Sequence, residues 1–443
     1  MVSLTFHGGV NEIGGSKILL EDKDTRIFLD FGQSFDFGQD YFTGWLAARG
    51  RNGLGDYFEF DLLPKIEGLY SQEQLEGTEM DHCEPEIDAI FLSHAHFDHM
   101  AHISFVDERI PVHCGEATLR FIKAQETSGL SKFGEHDYRT FKTGDKIGVG
   151  SLELEPIHVD HSIPGAYGYV IHTSEGAVVY TGDLRMHDPM ASMTQEFIRK
   201  AKESKPVAMI TEGTRMAPEE KRRNYSEQQV CDICDKIVSG TDKLVVMTHY
   251  GRDIDRFMTF YNLCKKTGKK FVILPKIAHL LKELHNDKNL KMPDPLKDDN
   301  LLVYFKRKKV YYKWEKEFMP KKVDADYVHE NQGDILMYLN FYQFGELIDI
   351  RPARGSHFIH SMSEPFSEED IEDEVMHRWL DHFGFEFHQA HASGHASKEE
   401  LVEMIKEIGP KRIFPVHTEH PEMFRERFSN AEMVEKGKRY GLE

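Results

Sequence analysis

Six consecutive residues, His94-Ala95-His96-Phe97-Asp98-His99, hold three histidines and one aspartate. Imidazole and carboxylate are ligands for zinc or a similar divalent ion. They follow the short apolar run DAIFLS, which reads as a strand stopping at a polar loop. A tight loop with that spacing can divide its ligands between two neighbouring ions. A pair of ions needs further donors, a bridging carboxylate above all. Candidates stand at the ends of later apolar runs: His158 and His161 in EPIHVDHSIPGAYG, Asp183 in VVYTGDLR, and His417 in IFPVHTEH. Taken singly, each is more often a hydrogen-bonded polar residue at a strand end. Together with the first cluster they supply the ligand count that two ions require.

The elements that must position these residues alternate along the chain. LTFHGG, KILLE and RIFLDFG predict a strand meander, with GGVNEIGG as a turn between strands. SLELEPIHV, AYGYVIHT and GAVVYTGD predict further strands. After PVAMITEG the rhythm becomes βαβ, as expected of a parallel sheet with helical cover. Helix is predicted for EEKRRNYSEQQVCDICDKIVSG and DIDRFMTFYNLCKKTG, and strand for KLVVMTHYG and KFVILP. Near the end, SKEELVEMIKEIGP predicts a helix opened at Ser397, with Glu400 completing a capping box, and KRIFPVHTEH predicts a strand. No internal repeat and no Pro/Gly/Ser linker is present, which predicts two closely joined domains.

Composition limits the function. The chain has 443 residues, 40% hydrophobic, and a net charge of −20. That composition excludes a mostly disordered chain, and the charge argues against a general polyanion binder. A local basic groove remains compatible with it. Residues 305–322, FKRKKVYYKWEKEFMPKK, carry eight Lys/Arg against two Glu, with Tyr311, Tyr312, Trp314 and Phe318 interleaved. Such a stretch suits single-stranded RNA, or a solvated segment with its aromatics packed inward. The acidic run SEPFSEEDIEDE reads as a solvated helix start. The five cysteines are an odd number and favour reduced thiols; Cys231 and Cys234 read as helix packing. Without a basic n-region, an apolar h-region or a membrane-length apolar run, a cytoplasmic protein is expected.

HxHxDH, a histidine before SIP, and TGD together resemble the metallo-β-lactamase superfamily. TEGTR, HASGHAS and FPVHTEH resemble the additional motifs of its β-CASP nucleases. GGVNEIGGS, HSIPGAYG and HASGHASKEEL resemble the ribonuclease J family, in a short form without the C-terminal domain. The resemblance implies an α/β fold: an αββα sandwich formed by 1–212 and 388–443, with a βαβ-type β-CASP domain inserted at 213–387. It implies two Zn2+ per chain, with Mn2+ as the alternative. His94, His96 and His161 would hold one ion and Asp98, His99 and His417 the other, with Asp183 as the bridge. Asp30 in FLDFG would support the ligands from outside, and His158 matches no family position. His395 would protonate the leaving oxygen and Glu212 would orient it, so that Asp98, Asp183, Glu212 and His395 carry catalysis. Ser393, Gly394, His395, Ala396 and Ser397 would bind substrate phosphate or the RNA 5′ end, or Ser397 would simply cap its helix. Ser361, Ser363 and Glu364 fall where the family has another substrate loop. A histidine at 417 favours RNA over DNA. The implied activity is a 5′→3′ exoribonuclease with endonuclease activity, acting on single-stranded, 5′-monophosphorylated RNA as a homo-oligomer. The competing readings are a DNA nuclease, a small-ester or thioester hydrolase, and a non-catalytic RNA-binding subunit.

Overall fold

A computed structural model describes residues 1–187, 190–218, 225–364 and 371–442. Residues 219–224 of the expected helical segment and 365–370 of the acidic run lie outside the described residues. The chain divides into two compact units. The first comprises Met1–Ile122, Ser131–Glu220 and Gly394–Glu443; the second comprises Lys123–Leu130 and Lys221–Ser393.

The first unit contains two sheets. One runs in the order Arg439–Gly441, Val2–Gly8, Lys17–Asp22, Thr25–Leu29, Ala89–Phe91, Val112–Gly115, Tyr138–Phe141. The other runs Ile413–Val416, Ala208–Glu212, Gly176–Tyr180, Tyr167–Thr173, Leu152–His158, Ile147–Val149. Alternation along the strands turns Leu4, Phe6, Ile18, Leu20, Ile27 and Leu29 toward Leu154, Tyr169, Ile171, Val178 and Ile210 in one buried cluster between the sheets. On the outer face of the second sheet, Val170, Val179 and Met209 pack against Phe197 and Ile198 of the helix Ala191–Glu203 and against Leu401 and Ile405 of the helix Lys398–Ile408. The helix Glu116–Thr127, which follows the strand Val112–Gly115 of the first sheet, buries Phe121 and Ile122. This is an αββα sandwich.

Strand direction sets the position of the functional residues. Gly176–Tyr180, Ala208–Glu212 and Ile413–Val416 are mutually parallel. Leu152–His158 is antiparallel to Tyr167–Thr173, which is antiparallel to Gly176–Tyr180, so it runs the same way as these three. Glu212, which ends its strand, and His161, Asp183 and His417, which follow theirs, therefore share one edge. In the facing sheet, Thr25–Leu29 and Ala89–Phe91 are parallel and end at Asp30 and at the histidine cluster.

The second unit is built on one all-parallel sheet in the order Lys322–Val323, Leu301–Tyr304, Lys270–Ile273, Ile335–Tyr338, Val245–His249, His357–Ser361, Glu386–Gln389. Its inner strands bury Val245, Val246, Met247, Phe271, Val272, Ile335, Leu336 and Met337 in one core, the near-continuous apolar pattern of a parallel sheet with helical cover. The helix Glu227–Ser239 opens with a capping box of Ser226 and Gln229, and Ile254–Thr267 is capped by Asp253 and closed by Gly268 at φ 75°. Cys234 is buried in this core and Cys231 packs against it, so the CxxC pair serves packing. Phe318 is fully buried here and Tyr312 is 67% exposed, so the basic stretch turns its aromatics both inward and outward. Among the described residues no helix is long and apolar enough to cross a membrane.

One buried cation ties this unit together. Arg256 is fully buried and donates to Glu227 Oε1 (2.6 Å), Ser361 Oγ and the Ala390 carbonyl (3.2 Å). Removing one partner from a buried ion pair leaves the other charge uncompensated. Arg256→Ala is expected to destabilise the second unit by about 3–5 kcal/mol in urea unfolding. A loss below about 1 kcal/mol, the range of exposed pairs, would show that the network carries no such weight.

Candidate metal centre

The loop after Ala89–Phe91 is fixed before any ligand is considered. Phe91 and His99 accept from the backbone N–H groups of Asp30 and Phe31, and the Ser16 N–H donates to the Asp98 carbonyl at 3.1 Å. Two glycines permit this approach. A Cβ on Gly32 would lie 1.7 Å from the Asp98 carbonyl oxygen, and one on Gly14, whose φ is +82°, would lie 2.7 Å from the Asp98 Cβ. The GGVNEIGG segment is thus a connection between strands, as expected, and it also packs directly on the cluster.

The sequence-predicted ligands come together in two groups. In one, His94 Nε2 and His161 Nε2 lie 3.0 and 3.1 Å from His96 Nδ1. In the other, His417 Nε2 lies 2.9 Å from Asp98 Oδ2, and His99 Nε2 lies 3.6 Å from the same oxygen. Asp183 belongs to both groups. Its Oδ2 is 3.1 Å from His99 Nε2, 3.6 Å from His417 Nε2, 3.7 Å from His94 Nε2 and 3.9 Å from His161 Nε2. His158 is not brought here; its ring stacks on Tyr167 at 4.9 Å.

The tautomers follow from the partners behind each ring. Asp30 is fully buried, and Ser93 N–H, Ser93 Oγ–H, Tyr180 O–H and His99 Nδ1–H converge on its carboxylate at 2.6–2.7 Å. With its hydrogen given to Asp30, Ser93 Oγ accepts from His94 Nδ1 at 2.9 Å. His161 Nδ1 donates to the Gly394 carbonyl at 2.5 Å. His417 Nδ1 pairs with the Thr214 hydroxyl at 2.8 Å. Partners of this kind fix ring orientation and raise ligand basicity. His417 and Asp30 also hold left-handed backbone, at φ 53° and 57°, a strain that non-glycine residues keep when the surroundings enforce it.

These observations test whether the site fits a metal. Burial, reinforced by neighbouring imidazoles, pushes His94 and His161 well below the usual histidine range, so both are neutral. With Nδ1 protonated, each turns a bare Nε2 toward His96 Nδ1. One N–H on His96 could satisfy only one of them, whereas a divalent cation satisfies all three. Burial works to raise the Asp183 carboxyl, yet His417, His99 and His395 hold it well below its usual range. Its Oδ1 is buried with no hydrogen-bond partner. The donor set fits divalent ions of the zinc type.

Beside the two groups stands a histidine–carboxylate pair. Glu212 ends its strand and is 1% exposed. It accepts the Leu184 N–H at 3.0 Å on Oε1 and lies 3.0 Å from His395 Nδ1 through Oε2. The His395 side chain is 21% exposed and its Nδ1 is 3.9 Å from Asp183 Oδ2. Burial opposes its charge, but Glu212 and Asp183 outweigh burial and lift it to about 9. Within Gly394–Ser397, the Gly394 carbonyl holds His161, the Ala396 N–H donates to the Leu184 carbonyl, and Ser397 caps its helix with Glu400. Ser393, Ser361, Ser363 and Glu364 fall within the second unit's span. There, Ser361 receives Arg256, and Ser363 bonds the Tyr250 hydroxyl.

Residues 67–250 match the beta-lactamase superfamily domain, and residues 385–438 match the Zn-dependent metallo-hydrolase RNA specificity domain. The chain is 24% identical over 341 residues to ribonuclease J of Sinorhizobium meliloti, covering 75% of this chain and 57% of that one. It is 22% identical over 450 aligned positions to ribonuclease J of Helicobacter pylori, covering 96% and 57%. It is 24% identical over 425 to ribonuclease J of Methanocaldococcus jannaschii, covering 93% and 90%. The chain thus spans little more than half the length of the first two relatives. A crystal structure of a protein of unknown function from Enterococcus faecalis V583 has the same fold, with a TM-score of 0.79, 23% identity and 99% coverage of both chains. Through these two matched segments the chain is similar to the metallo-β-lactamase superfamily. The three curated relatives just described are ribonucleases J.

Thr214, Ser93, Tyr180 and the Gly394 carbonyl were not singled out by sequence, although Thr214 and Tyr180 lie inside TEGTR and VVYTGD. Thr214→Val removes the hydroxyl behind His417. It is expected to weaken metal binding at the Asp98–His99–His417 group about 10–100-fold in a zinc titration of metal-free protein. Unchanged affinity would show that the hydroxyl does not support that ligand.

Proposed function

We propose that the protein is a metal-dependent ribonuclease hydrolysing RNA phosphodiester bonds, with a 5′→3′ exonucleolytic mode and endonucleolytic cleavage as its second mode. The observation that carries the reading is the pair of donor groups sharing Asp183, flanked by His395 held on Glu212. His94, His96 and His161 would hold one ion, and Asp98, His99 and His417 a second, with Asp183 between them. Zn2+ suits these donors and Mn2+ is the alternative. Bound divalent ions supply Lewis acidity and a lowered water pKa.

The chain's own residues supply the rest. Glu212 occupies His395 Nδ1, so the proton His395 can give away is the one on Nε2. The pair is charged near neutral pH and partly accessible, which suits a general acid at a departing oxygen. Glu212 acts through His395 and is a positioning residue. Gly394 serves through its carbonyl, which sets the His161 tautomer. Substrate contact by Ser393–Ser397 would come mainly from backbone groups beside the helix start, because the Ser397 hydroxyl is engaged in capping. The match of 385–438 to an RNA specificity domain, and a histidine at 417, support RNA as substrate. We read the parallel-sheet unit as the inserted β-CASP domain, and a homo-oligomer as the working assembly.

Metal-replete protein would be given one sequence as RNA and as single-stranded DNA, each 5′-monophosphorylated, and the products sized over time. Mononucleotides from RNA alone are expected, with no product from Asp183→Ala. His395→Ala is expected to lower kcat about 10²–10⁴-fold while keeping its metal. Equal digestion of DNA, or a full rate in His395→Ala, would overturn the corresponding assignment.

A further inference from the structure

Among the described residues, one group of convergent side chains of the types that can hold a metal ion shares no member with the centre: His357, Glu386 and His388. It lies in the second unit, on the last two strands of the parallel sheet. His357 pairs with Glu386, and Ile359 with His388. Residues paired in register on parallel strands project to the same face, and alternate residues share it. His357, Glu386 and His388 therefore stand on one face. Phe358 and Phe387 point to the other, where Phe358 enters the core and Phe387 meets His377 of the helix Ile371–Phe383.

The three donor atoms meet at His357 Nδ1. His388 Nε2 is 3.0 Å from it, and Glu386 Oε2 is 3.5 Å from it. Between neutral rings a single proton, on either nitrogen, joins His357 Nδ1 to His388 Nε2, and it leaves none for Glu386 Oε2. A cation among the three atoms would serve all of them. Ligands at about 2.0–2.1 Å from a tetrahedral ion are about 3.3 Å apart, which the observed separations bracket. Two imidazoles and one carboxylate, with a fourth position open to water, form a set that binds borderline first-row divalent ions. The His357 side chain is 16% exposed and Glu386 is 62% exposed, so the site is supported from below and open to entry from solvent. Its ligands sit on strands, which hold side chains more rigidly than loops do.

We propose that His357, Glu386 and His388 bind a divalent transition-metal ion, Zn2+ above all, which fastens the edge strand Glu386–Gln389 to its neighbour. An edge strand has a ladder on one side only, and a cross-strand ligand bond adds a tether that the backbone cannot. The proposal is independent of the reaction assigned to the other centre.

Metal-free full-length protein would be titrated with Co2+ and followed by ligand-field absorption and by bound metal after gel filtration. The chains compared are the unsubstituted protein, His357→Ala/His388→Ala, and Glu386→Gln. The readout is the difference in equivalents, so it stands whatever the Asp183 centre holds. The double variant is expected to bind one equivalent fewer, and to lose the rise in Tm that the last equivalent gives the unsubstituted protein. Glu386→Gln, on an exposed side chain, is expected to bind that equivalent more weakly, and it carries the test if the double variant does not fold. Equal equivalents and equal affinities in the folded variants would overturn the proposal.

Discussion

The structure of the first unit is organised around one carboxylate. Asp183 Oδ2 lies within 4 Å of nitrogen atoms on His94, His99, His161, His395 and His417, all in a buried setting. Unpaired ionisable groups are costly to bury, so such a density persists only when opposite charges, hydrogen bonds or bound cations compensate them. The positions of the surrounding elements follow from this. Parallel strand ends bring Asp183, Glu212 and His417 to one edge, and the facing sheet delivers Asp30 and the histidine loop to the same place.

Around that carboxylate lies a layer that sets proton positions. Asp30, Ser93, Thr214 and the Gly394 carbonyl each engage the far nitrogen of a histidine whose near nitrogen faces the centre. This layer converts a group of mutually repelling imidazoles into lone pairs aimed inward. It also explains two strained backbones and two glycines. His417 and Asp30 adopt left-handed conformations where their strands end, and Gly14 and Gly32 let neighbouring backbone close on Asp98.

Much of this was legible in the sequence, and the limits have physical causes. His94, His96, Asp98 and His99 show themselves by type and spacing, and Asp183 and His417 show themselves as polar residues ending apolar runs. The helix at Ser397 was readable from Ser397 and Glu400, because a capping box is a local interaction. Thr214 and Ser93 were not readable, since a hydroxyl near a histidine has no distinctive spacing. The Gly394 carbonyl leaves no side-chain signature at all. His357 and His388 were invisible as a pair because parallel strand register joins segments 31 residues apart, and no local pattern encodes it. The aromatics of 305–322 illustrate the same limit, since composition could not assign Phe318 to the core and Tyr312 to solvent.

The central claim is that Asp183 is shared by two metal ions. Electron paramagnetic resonance of the protein loaded with Mn2+, beside Asp183→Ala, tests it most directly. Two ions bridged by one carboxylate give an exchange-coupled spectrum, which is expected for the unsubstituted chain and should be lost in the variant. Signals of isolated ions alone, at every loading of the unsubstituted protein, would contradict the shared carboxylate.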